Sequence, residues 1–97
     1  MPNFAIFWLP EAVREKDEIV DYIGSHNLGA ALAIDAQIAR QVGQLADFPY
    51  LGKKGRVDGT LELIVSGTPY VVSYRLYGSE VQILHLFYAR RNWPPKV

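Results

Sequence analysis

The second half of the chain contains three β-rich runs that are separated by very short connections. The runs are TLELIV at residues 60–65, PYVVSYRLY at 69–77 and EVQILHLFY at 80–88. Only Gly78 and Ser79 separate the last two runs, and a two-residue connection of this kind closes a β-hairpin. Because parallel strands need a crossover of a dozen or more residues, the runs predict an antiparallel meander.

Two helices are predicted before the meander. Pro10, followed by an acidic residue, marks a helix start, and apolar residues recur at helical spacing over residues 10–25 and 28–46. We expect Phe48 to close the end of the second helix against the core. The apolar run at residues 4–8 reads as a first strand. The order β-α-α-β-β-β predicts an α+β fold, with a helical hairpin packed on a mostly antiparallel sheet.

The composition fits one globular domain over residues 1–97. This length allows a single modest core, and a hydrophobic fraction of 49% exceeds that of disordered chains. The chain has no cysteine, which excludes disulfides and thiolate metal sites, and we expect no metal and no other cofactor. No apolar run approaches the roughly 20 residues that cross a bilayer, and the N-terminus lacks the features of a signal peptide. We therefore expect a cytoplasmic protein with no membrane partner.

The net charge is zero, but the charges are distributed unevenly. Residues 1–50 contain three basic and seven acidic side chains, whereas residues 51–97 contain seven basic and three acidic ones. Acidic residues of the first predicted helix, Glu15 among them, are expected on a solvated face. The basic residues cluster in the loop 50–59 and near the C-terminus, which favours a basic face for an anionic partner. Two solvated faces of unlike composition are the alternative.

Alternation along the last two runs predicts one mostly apolar and one mixed face of the sheet. In the run 69–77, Arg75 falls on the mixed face. In the run 80–88, strict alternation places Gln82, Leu84, Leu86 and Tyr88 on one face and Val81, Ile83, His85 and Phe87 on the other. The mixed face, which holds Arg75 and in one reading His85, is expected to be open to solvent or to a ligand.

These segments, in this order and at this spacing, resemble the RelE/ParE family of bacterial type II toxin–antitoxin toxins. The stretches that carry the resemblance are the helix end at Tyr22-Ile23, NLGAA at 27–31, LADFPYLGKKGR at 45–56, GTLELIV at 59–65, TPYVVSYRL at 68–76 and VQILHLFYARRNWP at 81–94. Each stretch is weakly specific by itself, but together they cover nearly the whole chain. The resemblance implies the β-α-α-β-β-β fold and a small toxin that a cognate antitoxin neutralises.

The resemblance leaves two targets open, because RelE-like members are ribosome-dependent mRNA endonucleases whereas ParE-like members inhibit DNA gyrase. Metal-independent RNA cleavage needs an acid, a base and cationic groups, and Tyr88 and Arg75 are the candidates if the chain is a nuclease. RelE-like nucleases carry basic residues along the strand equivalent to 60–65 and an arginine at the position of Val71. In this chain only Glu62 is charged in that strand.

The position before Tyr88 also departs from the nuclease pattern. Some nuclease members carry a histidine followed by a tyrosine near the C-terminus, whereas this chain has Phe87 before Tyr88, and His85 lies two residues earlier. Most ParE-like relatives instead carry a histidine at the Tyr88 position. The chain therefore matches neither pattern there, and the nuclease alternative stays open.

The scarcity of phosphate-binding cations favours a gyrase inhibitor of the ParE type. Such an inhibitor needs surface contacts, which we expect from Lys53, Lys54, Arg56, Arg90, Arg91 and Trp93. The alternative is that the loop residues are only solvated and that Trp93 packs on the edge of the core. A non-toxic homologue that only binds an antitoxin is a third reading. Charged helix faces also permit a homodimer, besides a toxin–antitoxin hetero-oligomer.

Overall fold

Two helices pack on one face of a five-stranded sheet in the computed structural model, which describes residues 3–91 and residue 94. The elements are β1 (Ala5–Trp8), α1 (Pro10–Gly24), α2 (Leu28–Gly43), a 3₁₀ turn (Gln44–Ala46), β2 (Lys53–Lys54), β3 (Leu61–Ile64), β4 (Tyr70–Tyr77) and β5 (Glu80–Tyr88). The predicted α+β order is confirmed. The structure adds β2, which the sequence predicted as part of a loop, and it gives the end of the second predicted helix as a 3₁₀ turn.

The strands are arranged in the order β1-β5-β4-β3-β2. β3, β4 and β5 form the predicted antiparallel meander, and β1 joins its far side by parallel pairing with β5. Gly78 and Ser79 connect β4 to β5 as expected. Gly78 has a φ of 59°, a conformation that costs glycine little and other residues more.

The helix boundaries follow from local chemistry. Pro10 is the first residue of α1, where its missing N–H is not needed. Asn27 caps α2, because its side-chain oxygen accepts a hydrogen bond from the Ala30 N–H at 3.0 Å. The prediction for Phe48 is wrong, since its side chain is 61% exposed, and the fully buried Leu45 of the 3₁₀ turn closes the helix end instead.

The hydrophobic core lies between the helices and the sheet. Its fully buried residues include Ala12 of α1, Ile38 and Val42 of α2, and Val72 and Ile83 of the central strands. Each large aliphatic side chain buried in this way contributes about 1.5–3 kcal/mol relative to exposure. The core therefore covers one face of the sheet. No helix formed by residues 3–91 lies on the other face, which is called here the helix-free face.

A β-bulge in β5 changes which side chains reach each face. Ser73 is opposite His85, whereas the next residue, Tyr74, is opposite Ile83. One residue of β5, Leu84, is therefore extra in the ladder.

Beyond the bulge, the strict alternation predicted for β5 is wrong. Leu86 lies in the core with the helices, while His85 and Phe87 belong to the opposite face. The predicted association of Arg75 with His85 on one face is confirmed, because Arg75 and Ser73 alternate on β4 and Ser73 is opposite His85.

Candidate functional site

One end of the helix-free face is buried although no helix covers it. Glu62 of β3 is 3% exposed and is opposite Ser73, and Phe87 of β5 is 1% exposed. Arg56 lies over them: its N–H donates to Glu62 Oε2 at 2.9 Å and its Nε lies 3.3 Å from Glu62 Oε1. The guanidinium carbon is 5.4 Å from the centre of the Phe87 ring. Arg56 therefore neutralises an internal carboxylate and covers an aromatic ring.

The basic loop, residues 50–59, holds the first cluster of predicted target-binding residues. Lys53 and Lys54 form β2, with Lys53 opposite Glu62 and Lys54 opposite Leu61, and both lysines are exposed. Successive side chains of a strand point to opposite faces, so the two ammonium groups leave this edge of the sheet on opposite sides.

Tyr74 anchors the start of the basic loop from inside the core. Its fully buried hydroxyl donates to the Pro49 carbonyl at 2.8 Å and accepts from the Gly52 N–H at 2.9 Å. Burial raises the pKa of the Tyr74 phenol, and the hydrogen bond from Gly52 lowers it by a smaller amount. A Cβ on residue 52 would lie 2.7 Å from the Tyr74 hydroxyl and from the Glu62 carbonyl oxygen, so only glycine fits there.

Tyr88, the predicted acid or base of a nuclease, lies at a cleft between α1 and β5. Its side chain is 45% exposed, and its ring packs edge-on against Tyr70 at 6.0 Å. Burial raises the pKa of the Tyr70 phenol, and electrostatic repulsion by Tyr88 raises it by a smaller amount. The cleft has a volume of about 310 Å³ and is lined by Glu15, Glu18, Ile19, Tyr70, Leu86, Phe87, Tyr88 and Arg91. Tyr88 therefore shares its surroundings with one guanidinium and two carboxylates.

Glu15 occupies the edge of β5 in a way that the sequence did not indicate. Its carboxylate accepts the Leu86 N–H at 3.1 Å and lies 3.2 Å from His85 Nδ1. β1 pairs with β5 only as far as Ile83, so Glu15 covers part of the edge beyond it. The acidic pattern of α1 predicted a solvated Glu15. Only the packing of α1 beside β5 gives this residue its role.

The structure does not bring the two candidate catalytic residues together. Tyr88 is opposite Tyr70, whereas Arg75 is opposite Gln82, five positions further along β4. At about 3.3 Å per residue, these positions are about 17 Å apart. Tyr88 lies on the side of Tyr70, which packs against the core, and Arg75 lies on the helix-free face.

The second basic cluster follows β5. Arg90 and Arg91 are exposed, and the Arg91 N–H donates to the Tyr88 carbonyl at 2.8 Å in a turn. The contact of Arg56 with Phe87 places the tip of the basic loop over the end of β5, three residues before Arg90. Trp93, the remaining predicted contact, lies outside the described residues.

Neither helix within residues 3–91 has the length and apolar character that crossing a membrane requires. Three comparisons with known proteins then bear on function. The family described as "ParE toxin of type II toxin-antitoxin system, parDE" matches residues 6–93. A Sinorhizobium fredii (strain NBRC 101917 / NGR234) protein named "Putative toxin Y4kP" is 37% identical over 94 residues, which cover 97% of each chain. A chain of the chromosomal ParDE toxin–antitoxin system from P. aeruginosa has the same fold, with a TM-score of 0.81, 25% identity, and coverage of 89% of this chain and 96% of that one.

Proposed function

Because the chain belongs to the ParE toxin family of type II toxin–antitoxin systems, we propose that it inhibits DNA gyrase through surface contacts. The observation that carries this proposal is the separation of Tyr88 from Arg75. A metal-independent nuclease must hold its acid, base and cations within reach of a single phosphodiester. Side chains that leave backbone positions about 17 Å apart along the strand, on opposite faces, are poorly placed to act on the same bond.

The charge at the buried end of the helix-free face also opposes RNA cleavage. Glu62 places a buried carboxylate where a nuclease needs cations, and a carboxylate repels a phosphodiester. The nearest guanidinium, that of Arg56, is already paired with Glu62 at 3.3 Å. Arg56 is therefore not free to stabilise a transition state on this part of the sheet, which leaves the single ammonium group of Lys53 opposite Glu62.

A gyrase inhibitor needs a binding surface and no proton transfer, and the two basic clusters provide one. Lys53 and Lys54 project from the sheet edge, and Arg90 and Arg91 follow β5. Arg56 of the basic loop brings the first cluster towards the second, because it contacts Phe87 near the end of β5. We expect these residues, together with Trp93, to contact gyrase in the cytoplasm.

The antitoxin is the second partner in this proposal. The family consists of toxins paired with antitoxins, and the similar P. aeruginosa chain comes from a ParDE system. We expect a cognate antitoxin to bind this chain and abolish gyrase inhibition.

A supercoiling assay tests the proposal. Purified protein should block the supercoiling of relaxed plasmid by gyrase and trap cleaved DNA, and the double variant Lys53→Ala/Lys54→Ala should require more protein for the same effect. Arg40→Ala is the control variant, because it removes an exposed cation on α2 that lies away from the basic clusters. If supercoiling is unaffected at excess protein while growth still stops, the proposal fails.

A RelE-like mRNA endonuclease is the second candidate, because Tyr88 and Arg91 line one cleft. Glu15 and Glu18 line the same cleft and oppose phosphate binding there. In this case Tyr88→Phe would abolish toxicity without unfolding the protein, and induction of the wild type would cause rapid loss of mRNA. A non-toxic antitoxin-binding homologue is the third candidate, and growth arrest on expression without an antitoxin would exclude it.

A further inference from the structure

We infer that the open end of the helix-free face is a further contact surface for gyrase, at which Arg75 binds a carboxylate of the target. The surface, called here the Arg75 patch, consists of Phe7, Arg75, Tyr77, Glu80 and Gln82. This inference rests on the proposed function, and it adds a site that the two basic clusters do not include.

The strand register places these side chains next to one another. Phe7 of β1 and Arg75 of β4 are both paired with Gln82 of β5, and Tyr77 is paired with Glu80. Directly opposed residues have Cβ atoms about 4.5–5.5 Å apart, so the first three form one row across three strands. Tyr77 and Glu80 form the next row, two residues further along.

The Arg75 patch is exposed, in contrast to the other end of the same face. Phe7 is 50% and Tyr77 67% exposed, and Arg75 is also exposed, whereas Glu62 and Phe87 are almost completely buried. A single exposed aromatic residue is common on protein surfaces. Arginine and tyrosine together are the residue types enriched where binding energy concentrates at protein interfaces.

Arg75 is oriented before any partner binds. Its Nε donates to Gln82 Oε1 at 2.7 Å, and Gln82 Nε2 donates to Glu80 Oε1 at 3.2 Å. The two terminal nitrogens of Arg75 make no hydrogen bond with any other residue among 3–91. They leave a planar fork that matches the two oxygens of a carboxylate. Because the side chain is already held, binding costs less conformational entropy.

The charge of the patch favours a protein over a nucleic acid. Glu80 and Arg75 carry opposite charges two residues apart in the ladder, so the patch as a whole is neutral. A nucleic-acid backbone would place further phosphates against Glu80, whereas one carboxylate on a protein would not. The exposed rings of Phe7 and Tyr77 offer apolar contacts on either side. The segment of gyrase that fits therefore presents an Asp or Glu beside an apolar side chain.

The test compares alanine variants of the patch with matched variants on the helical layer. Arg75→Ala and Tyr77→Ala are compared with Arg40→Ala, whose guanidinium is likewise held by a glutamine, Gln37, and with Tyr22→Ala, which removes a 70% exposed tyrosine. Binding to purified gyrase subunits and inhibition of supercoiling are both measured. We expect Arg75→Ala to weaken both by about 30-fold, as for a residue that anchors an interface, and the controls to stay within about twofold.

Two further variants separate a carboxylate contact from simple charge. Arg75→Lys keeps the charge but loses the fork, so we expect weakened binding to gyrase. Gln82→Ala releases Arg75 and should weaken binding less than Arg75→Ala does. Melting temperatures identify any variant that fails to fold, and the exposed position of Arg75 predicts that its variants fold normally.

The outcomes distinguish this inference from the proposed function. If the wild type inhibits gyrase and Arg75→Ala does so equally well, the Arg75 patch is not a contact surface and gyrase inhibition stands. If the wild type neither binds nor inhibits gyrase, the proposed function fails and this inference fails with it. Full binding by Arg75→Lys would indicate that only the positive charge matters, and an equal loss of binding to a short DNA duplex in Arg75→Ala would indicate a phosphate contact. Either result would overturn the inference.

Discussion

Replacing Tyr74 by phenylalanine removes a single oxygen atom from the core. That oxygen accepts a hydrogen bond from the Gly52 N–H at 2.9 Å and donates one to the Pro49 carbonyl at 2.8 Å. The ring is fully buried, and phenylalanine keeps it in place. The substitution therefore isolates the effect of the two hydrogen bonds on stability and on the anchoring of the basic loop.

The expected loss follows from the groups that would be left without a partner. Each net hydrogen bond contributes about 0.5–1.5 kcal/mol, and a buried group left unsatisfied costs about 1–3 kcal/mol. The neighbouring Tyr50 and Leu51 are 76% and 50% exposed, so water can reach part of this loop and reduce the cost. We expect the free energy of unfolding to fall by about 2–3 kcal/mol. For a domain of this size, that corresponds to a melting temperature lower by roughly 10–20 °C.

Urea denaturation and thermal melting measure this loss, and Tyr77→Phe provides the control. Tyr77 lies on the same strand, is 67% exposed, and its hydroxyl makes no hydrogen bond with the rest of residues 3–91. The control should stay within about 0.5 kcal/mol of the wild type. Hydrogen exchange at the Gly52 amide should accelerate only in Tyr74→Phe. Equal stability of the two variants would refute the anchoring of the loop by Tyr74.

The same comparison predicts a pH dependence. Burial raises the pKa of the Tyr74 phenol above its ordinary value of 10.0. Below about pH 10 the phenol is protonated in both the folded and the unfolded chain, and at higher pH the unfolded chain loses its proton first. The stability contributed by neutral Tyr74 is thus lost as pH rises above 10. The difference in free energy of unfolding between the wild type and Tyr74→Phe should therefore decrease above pH 10, and a constant difference would contradict this reasoning.

Three further substitutions test other parts of the structure. Glu62→Ala should lower the free energy of unfolding, measured by urea titration, by about 2–3 kcal/mol. This loss is smaller than that for a fully buried ion pair, because Arg56 is partly exposed. A loss below about 0.5 kcal/mol would contradict an internal role for the Glu62 carboxylate. Gly52→Ala should lower the free energy of unfolding by about 1–3 kcal/mol, because the added carbon overpacks the core. Gly43→Ala is the control: its added carbon meets nothing within 4 Å, so this variant should match or exceed wild-type stability. Similar melting temperatures for the two variants would count against the close approach at residue 52. Asn27→Ala should lower the free energy of unfolding by about 0.5–2 kcal/mol through loss of the helix cap. Circular dichroism during thermal melting measures this loss, and an unchanged melting temperature would argue against capping.

The order of helices and strands could be predicted from the sequence because it depends on local chemistry. Apolar periodicity located the bounds of α1, α2 and the three strands of the meander to within three residues. The connection at Gly78 and Ser79 allowed only a tight turn, and it forms one. Resemblance to the toxin family rests on the same local stretches, and the family match over residues 6–93 confirms it. No long-range contact was needed for these conclusions.

The arrangement of the candidate site depends on contacts that no local pattern encodes. The extra residue Leu84 reverses the faces of β5, because register is set by pairing with β4 and not by alternation within one strand. Glu15 reaches His85 and Leu86 across 70 and 71 residues of sequence.

The tertiary structure likewise decided which of three predicted site residues, Arg56, Tyr88 and Arg75, are available to act together. Arg56 looked like a free cation in the sequence, but Glu62 on the neighbouring strand pairs with it. Tyr88 and Arg75 looked like partners, but the register of β4 and β5 places them at different ends and on different faces. Sequence determined which chemical groups this toxin has. Strand register and packing determined which of those groups meet, because that depends on pairing between distant parts of the chain.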